Sequence, residues 1–184
     1  RIEPNGKIIE IGSFLGRSTH YLATSLFNAN KYDVQVYCID TFEGSSEHAN
    51  IKLPKDFSRM FRDNLRFFIG RDMVLPIQGR SDDPKILERF EEASVDFILV
   101  DGAHEYDPVK DDIVNWWPKL KPNGVMFGDD YNLKSVELAV KEGLAACGHR
   151  SYGVNKGFEQ TWYCSKDEEN QQYEKQIPGV NTLI

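Results

Sequence analysis

Short apolar runs alternate with amphipathic stretches along most of this chain. Five runs have the length and the apolar, largely β-branched content of buried strands: residues 7–12, 34–40, 74–78, 95–101 and 124–128. Other stretches carry apolar side chains at helical spacing: residues 17–27, 56–69, 83–92 and 136–147. Strands that are apolar on both faces and separated by helices form parallel sheets covered on both sides. The alternation therefore predicts a doubly wound α/β fold.

Smaller features complete this outline. Asp107 and Pro108 are typical of a helix N-cap followed by its first residue. Residues 121–124 (KPNG) predict a turn, and two late strands are predicted to end the sheet in antiparallel orientation, at residues 149–153 and 161–165. The long polar segment 43–55 is a candidate lid. We expect one domain over residues 1–166 and a polar tail over residues 167–184.

Composition narrows the classes of partner. The 184 residues suit a single domain, and a formal net charge of −7 argues against a nucleic-acid partner, which requires a basic face. No stretch is apolar for long enough to span a bilayer, so no membrane partner is expected. Cys38, Cys147 and Cys164 are odd in number and match no zinc spacing. They predict free thiols in a reducing compartment and a cytoplasmic location.

Acidic residues and glycines gather where the predicted strands end. In doubly wound sheets, ligands bind beyond the carboxyl ends of the strands. These ends carry seven such residues: Glu10, Gly12, Asp40, Gly79, Asp101, Asp129 and Asp130. We therefore expect the functional site at this edge of the sheet.

The first strand-to-helix turn has the pattern E-x-G-S-x-x-G, from Glu10 to Gly16. Glycine permits a tight turn and a close ligand approach, so a side chain at Gly12 is expected to block a ligand without unfolding the protein. Asp40 ends the second strand, where an acid can accept hydrogen bonds from both hydroxyls of a ribose. A dinucleotide cofactor is disfavoured, because the G-x-G-x-x-G spacing is missing and Glu10 would lie beside a pyrophosphate.

Four blocks in order resemble a known family: IEIGSFLGRST, CIDTFEGS, VDGAHEYDPVKDDI and LKPNGVMFGDDY. They are similar to the class I S-adenosylmethionine (SAM) dependent methyltransferases that group with catechol O-methyltransferase, cephalosporin hydroxylase-like proteins and metal-dependent macrolide-sugar O-methyltransferases. The resemblance covers roughly residues 7–140. It implies SAM as the cofactor and a Rossmann-like, mostly parallel, seven-stranded sheet whose last strand is antiparallel.

The resemblance also implies roles for single residues. The glycine turn would hold the methionine part of SAM with support from Glu10, and Ser18 or Thr19 would reach its carboxylate. Phe42 would pack on the adenine and Ser81 would lie near the adenine amino group. The expected cofactor-binding set is Glu10, Gly12, Ser13, Gly16, Ser18, Thr19, Asp40, Thr41, Phe42, Gly79, Ser81 and Asp101.

Asp101, Asp129 and Asp130 follow two adjacent predicted strands. Three converging carboxylates repel one another unless they share a cation, and hard oxygen ligands favour Mg²⁺, with Mn²⁺ or Ca²⁺ as alternatives. In the resembled family the equivalent triplet binds a divalent ion, although the metal-dependent relatives have Asp-Asn or Glu-Asp where this chain has Asp129-Asp130. Two alternatives stay open: Asp129 and Asp130 only cap the next helix, or Asp130 alone contacts the acceptor.

His104 lies three residues after Asp101, in a loop. Its position resembles the D-G-x-H histidine that is the general base of sugar O-methyltransferases, and imidazole suits that role because its pKa lies near neutrality. The alternative is an ordinary surface histidine.

The expected function is divalent-metal-assisted O-methyl transfer from SAM to a hydroxyl of a small molecule or sugar. Two alternatives stay open: an N-methyltransferase or metal-independent variant, and a non-catalytic SAM-binding domain of a larger assembly. The sequence leaves the acceptor and homo-oligomerisation undetermined.

Overall fold

Seven strands form one sheet within the residues that the computed structural model describes, which are 2–44, 56–155, 157 and 160–166. The strands follow in chain order: β1 Lys7–Ile11, β2 Gln35–Asp40, β3 Val74–Gln78, β4 Val95–Val100, β5 Leu120–Gly128, β6 Gly153–Asn155 and β7 Thr161–Ser165. Their order in the sheet is β3-β2-β1-β4-β5-β7-β6. The first five are parallel, and β7 is antiparallel to both of its neighbours. The Rossmann-like sheet with an antiparallel last strand is therefore confirmed.

Helices cover both faces of this sheet. They are α1 Arg17–Asn28, α2 Phe57–Ile69, α3 Pro84–Leu87, α4 Tyr106–Trp116 and α5 Lys134–Ala146. One core is formed by alternate strand residues and the apolar faces of α1 and α2. The other core joins the opposite face of the sheet to α3, α4 and α5. The strand order reverses between β1 and β4, which makes the carboxyl ends of these two strands the expected ligand-binding crevice.

Four predicted boundaries were wrong. The predicted helix 83–92 is only the short α3, since the chain then turns to bury Phe90 against Tyr37 and Trp116. Helix α4 begins at Tyr106 with Glu105 as its N-cap. Asp107 and Pro108 lie in its first turn instead, where the missing proline N–H has no intrahelical partner to lose.

The other two errors concern the end of the sheet. Residues 121–124 belong to β5 and form an irregularity, because Leu120 pairs with Val95 while Val125 pairs with Phe97. The strand expected at 149–153 is β6, Gly153–Asn155, since the preceding residues close helix α5 through the His149 N–H bond to Leu144 O.

Some predictions fall on residues that the structure leaves undescribed. Most of the candidate lid, residues 45–55, lies outside the described residues, and so does the tail 167–184. The domain boundary therefore stays a prediction. Within the described ranges no helix is long and apolar enough to cross a membrane. The three cysteines are free thiols, and Cys38 and Cys164 are buried.

Gly12 is the point where the turn after β1 touches the turn after β4. A Cβ atom on Gly12 would lie 2.1 Å from Asp101 O and 2.4 Å from Gly102 Cα, both of which are backbone atoms. Its φ of +88° also lies in the left-handed region. The expectation that a side chain here would block a ligand without unfolding the protein is therefore wrong, because the side chain would first collide with the protein itself.

Gly12→Ala is expected to destabilise the protein far more than Gly148→Ala does. Gly148 has a similar φ of +76°, but a Cβ there meets nothing within 4 Å. Gly148→Ala should lower the free energy of unfolding by about 1 kcal/mol through backbone strain alone. Gly12→Ala should lower it by about 3 kcal/mol or more, since backbone atoms must move. Urea unfolding of both variants measures the difference, and equal losses would refute the collision.

Candidate active site

A cavity of about 790 Å³ opens at the carboxyl ends of the parallel strands. Its volume falls within the range of roughly 300–1,000 Å³ that is usual for small-molecule sites. The predicted site residues on its walls are Gly12, Ser13, Ser18, Asp40, Thr41, Gly79, Ser81, Asp101, His104, Asp129 and Asp130. The fold thus brings most of the predicted residues together around one space.

Four predicted cofactor residues do not line the cavity: Glu10, Gly16, Thr19 and Phe42. Glu10 is fully buried, and its carboxylate accepts a hydrogen bond from the Thr19 hydroxyl. Burial raises the pKa of Glu10 above its ordinary value, although the hydroxyls of Ser18, Thr19 and Ser13 oppose the rise. Thr19 therefore supports the turn from below instead of reaching a ligand carboxylate.

Gly16 and Phe42 contact the protein interior. A Cβ on Gly16 would meet Leu65 Cδ1 of α2 at 2.6 Å. Phe42 is buried with its ring centroid 5.2 Å from that of Phe61, also on α2. The structure thus places Phe42 in the core and not against a base in the cavity.

Asp40 ties two turns of the site together. One carboxylate oxygen accepts a hydrogen bond from Phe14 N at 2.7 Å, and the other accepts one from Phe42 N at 2.6 Å. Both phenylalanines have left-handed backbones, with φ of 45° and 55°, which is costly for a bulky residue. Each carboxylate oxygen keeps a further lone pair, so Asp40 can also accept hydrogen bonds from a ligand.

Three side chains converge at the other end of the cavity. One ligand atom from each of Asp101, His104 and Asp130 lies within 4.8 Å of the others. His104 Nε2 is 2.8 Å from Asp130 Oδ2. Burial, and then the carboxylates of Asp129, Glu10 and Asp130, raise the pKa of Asp101 to about 7. A proton or a cation would relieve this repulsion.

Asp129 differs from its predicted position. Asp129 lines the cavity but does not belong to the group of converging ligand atoms, and its Oδ1 accepts a hydrogen bond from Asp130 N at 2.8 Å. The helix-capping alternative for Asp129 and Asp130 is wrong, because the N-cap of α5 is Leu133 and no side chain caps it.

Asp112 is a site residue that the sequence analysis missed. It lies on α4 with only 5% of its surface exposed, yet it lines the cavity. The Ser81 hydroxyl donates to Asp112 Oδ1 at 2.5 Å, and Trp116 Nε1 donates to Ser81 O at 3.1 Å. Helical spacing could have revealed it, since Asp112 falls on the same face as Val109, Ile113 and Trp116. Arg17 and Tyr21 of α1 also line the cavity.

The fold has a doubly wound, mostly parallel sheet with a cavity at its switch point. A family model described as "Methyltransferase domain" matches residues 9–131. The chain therefore belongs to the methyltransferase domain family. SAM is the methyl donor that this family implies.

Individual relatives are more distant. "Uncharacterized protein y4gI" of Sinorhizobium fredii (strain NBRC 101917 / NGR234) is 28% identical over 134 residues, which are 73% of this chain. The chain spans only 14% of the length of that protein.

Solved structures share the fold at low identity. The O-methyltransferase NovP superposes with a TM-score of 0.69 and 18% identity, over 88% of this chain and 72% of that one. CalS11, a TDP-rhamnose 3′-O-methyltransferase of calicheamicin biosynthesis, superposes with a TM-score of 0.64 and 16% identity, over 87% of this chain and 72% of that one. A candidate rRNA methylase from Clostridium thermocellum superposes with a TM-score of 0.63 and 13% identity, over 91% of this chain and 90% of that one. At such identities the likeness establishes the fold and leaves the acceptor open.

Asp112→Asn is expected to stabilise the protein at high pH. Burial raises the pKa of Asp112 to about 7, from an ordinary value of 3.8. Between these values the folded protein binds more protons than the unfolded chain, so its stability falls as the pH rises through this window. Asparagine does not ionise, so we expect a gain of about 2–4 kcal/mol near pH 8 and almost none near pH 4.

Urea unfolding at the two pH values measures this gain. The control is Asp111→Asn, which changes the adjacent, exposed acid on the same helix and should have little effect. Burial also raises the pKa of Asp101, so Asp101 contributes to the pH dependence of stability in the same direction. Because wild type and both variants contain Asp101, this contribution cancels when their free energies of unfolding are compared. An equal effect of Asp112→Asn at both pH values would contradict the prediction.

Proposed function

We propose that this chain transfers the methyl group of SAM to a hydroxyl of a small molecule or sugar. The observation that carries the proposal is the convergence of Asp101, His104 and Asp130 on the cavity whose other walls are the glycine turn and Asp40. A sulfonium methyl is already electrophilic, so the enzyme must align an oxygen with it and remove the hydroxyl proton. Alignment can lower such a barrier by roughly 7–11 kcal/mol in favourable cases.

The cavity suits the chemical groups of SAM. The amide groups at the start of α1 would hold the methionine carboxylate, with Ser18 and Arg17 beside them. Asp40 would accept hydrogen bonds from the ribose hydroxyls. The polar pair Ser81 and Asp112 lies beyond β3, where the base would extend. These donors and acceptors are complementary to the ligand from one end to the other.

A divalent cation fits the acid end. Asp101 and Asp130 would be ligands, with Asp129 as the third, and the raised pKa of Asp101 reflects a cluster of negative charge that a cation would stabilise. A bound cation would lower the pKa of an acceptor hydroxyl and fix its orientation. The distances favour a second candidate set in which His104 replaces Asp129.

His104 would accept the proton from the acceptor hydroxyl. With Nε2 donating to Asp130 Oδ2, the ring is held in one orientation and Nδ1 carries the lone pair. The same contact supports a metal-independent variant, because Asp130 is then paired without a cation. Metal-binding measurements separate these mechanisms.

A small acceptor is favoured over a nucleic acid by the net charge of −7. The likeness to an enzyme that methylates TDP-rhamnose points in the same direction.

Asp40→Ala is expected to remove the contact with the ribose. Because Asp40 also holds two turns, the loss must be separated from general damage, so S-adenosylhomocysteine is compared with its 2′-deoxy analogue. The wild-type protein should bind the 2′-deoxy analogue about 1.5–3 kcal/mol more weakly than S-adenosylhomocysteine, the usual size of a hydrogen bond to a charged group. Asp40→Ala should bind the two ligands with nearly the same free energy. Calorimetry that finds the same difference in both proteins would remove Asp40 from the ribose site.

Asp130→Ala is expected to abolish the binding of Mg²⁺ or Mn²⁺, because it removes a carboxylate from the converging group. Calorimetry with the metal alone tests this, and Asp111→Ala serves as the exposed control. EDTA should abolish methyl transfer to a panel of hydroxylated acceptors, and added Mg²⁺ or Mn²⁺ should restore it. Full turnover in EDTA would establish the metal-independent variant.

His104→Ala is expected to retain SAM and metal but to lose roughly 10²–10⁴-fold in rate, the usual contribution of a positioned general base. The loss should shrink as the pH rises, since a spontaneously ionised acceptor needs no base. If His104→Ala loses the metal as Asp130→Ala does, His104 is a ligand. An unaltered rate would make it an ordinary surface residue.

A further inference from the structure

Trp162 has a buried indole N–H that no described residue accepts. Its side chain has no exposed surface, and among the residues that the structure describes Nε1 has no hydrogen-bond partner. A buried indole N–H usually finds an acceptor, because an unpaired donor loses its bond to water without a replacement. Trp116 is buried to the same degree and follows this rule, since its Nε1 donates to Ser81 O at 3.1 Å. Trp162 is thus the exception, and its donor is left for another group.

The sheet places this donor beside the acids of the active site. Trp162 of β7 pairs with Gly128 of β5, and a Cβ on Gly128 would lie 2.4 Å from Trp162 Nε1. Because glycine leaves room for the indole at this cross-strand position, the Nε1 edge of the ring lies against the last residue of β5. The next residue along the chain is Asp129. The unpaired donor therefore lies next to the strand end from which the acids project.

A second, small cavity is lined by the indole and the acids together. Its volume is about 10 Å³, and Asp101, Asp129, Asp130 and Trp162 contribute to its wall. Most of the other lining residues are valine or alanine. A space of this size is near the smallest that holds a water molecule, and a water is retained only where two or more polar groups bind it. The indole N–H supplies a donor and the carboxylates supply acceptors, so both conditions are met.

Asp129 connects this small cavity to the direction of Asp130. Asp129 Oδ1 accepts the N–H of Asp130 at 2.8 Å, and its remaining lone pairs can accept a further donor. Asp130 has a left-handed backbone, with φ of 57°, and its Oδ2 lies 2.8 Å from His104 Nε2. A series of contacts therefore leads from Asp129 to the group of converging ligand atoms. The small cavity lies where this series meets Trp162.

We propose that the small cavity binds one ordered water, which accepts the indole N–H of Trp162 and donates to the Asp129 carboxylate. Trp162 is thus a positioning residue that acts through the water. It fixes Asp129, which in turn holds the backbone of Asp130 and aims the Asp130 carboxylate at His104. The water site follows from the described geometry alone, whereas its effect on metal affinity rests on the proposed function.

The water site is tested by NMR on the isotope-labelled protein, through cross-peaks between water and the indole N–H protons. The measurement is made in the rotating frame, where a bound water and proton exchange give signals of opposite sign. A bound-water cross-peak is expected at Trp162 and none at Trp116, whose N–H is held by Ser81 O. Trp162→Phe and Trp116→Phe assign the two signals. If the Trp162 N–H shows no bound water, the inference is overturned.

The positioning role is tested with Trp162→Phe, which keeps an aromatic ring and removes the donor. Asp130 belongs to both candidate sets of metal ligands, so Mn²⁺ affinity measured by calorimetry should fall about 10–100-fold, the usual effect of losing a group that supports a metal ligand. The matched control is Trp116→Phe, which removes an equally buried indole N–H beside Ser81 and should keep the Mn²⁺ affinity of wild type.

The outcomes of this comparison are distinct. If Trp162 only fills space, Trp162→Phe binds Mn²⁺ as tightly as wild type does, which overturns the positioning role. An equal loss of Mn²⁺ affinity in both variants would also overturn it, because the loss would then reflect general damage to the core. Failure of the wild-type protein to bind Mn²⁺ would instead refute the proposed cation, and the NMR contact at Trp162 would then decide the inference by itself.

Discussion

A backbone contact between the ends of β1 and β4 is the constraint on which the rest of the site depends. Gly12 leaves no room for a side chain because Asp101 O occupies that space, and Asp101 N donates to Ile11 O at 2.9 Å. The turn that would hold the methyl donor and the loop with the acids therefore meet. Beyond this contact the two segments diverge, because α1 and α4 pack on opposite faces of the sheet, and the cavity opens between them.

Three acids in and beneath this cavity are buried against their electrostatic preference. Glu10, Asp101 and Asp112 all have a raised pKa, and burial is the largest cause for each. Such groups lower stability when they ionise, and they cluster at functional sites because binding requires them there. Their separate positions divide the cavity into a floor under the turn, an acid end and a wall beyond β3. Burial thus raises the pKa of all three acids, although each lies in a different part of the site.

The spacing of apolar residues along the chain was sufficient to predict most strands and helices. It was insufficient to predict where some single side chains lie. Strand β3 and the core of β4 follow from apolar runs, because a buried strand needs apolar side chains on both faces. The predicted length of α3 was too great, because the chain turns after the helix to bury Phe90 instead of following the helical spacing. Phe42 was placed in the cofactor site, but its left-handed backbone points the ring toward Phe61. Asp112 was missed because a helix residue was not expected at an edge defined by strand ends.

The sequence by itself determined the alternation of strands and helices, and therefore which acids share one edge of the sheet, because parallel strands all end there. Only the tertiary structure decided how these acids group. Asp130 has a left-handed backbone, with φ of 57°, and its side chain meets His104, whereas its neighbour Asp129 stays outside the group of converging ligand atoms. The order of residues fixes which strand end a side chain follows. Its direction depends on backbone angles and on the packing of neighbouring loops, which residues distant in the chain supply.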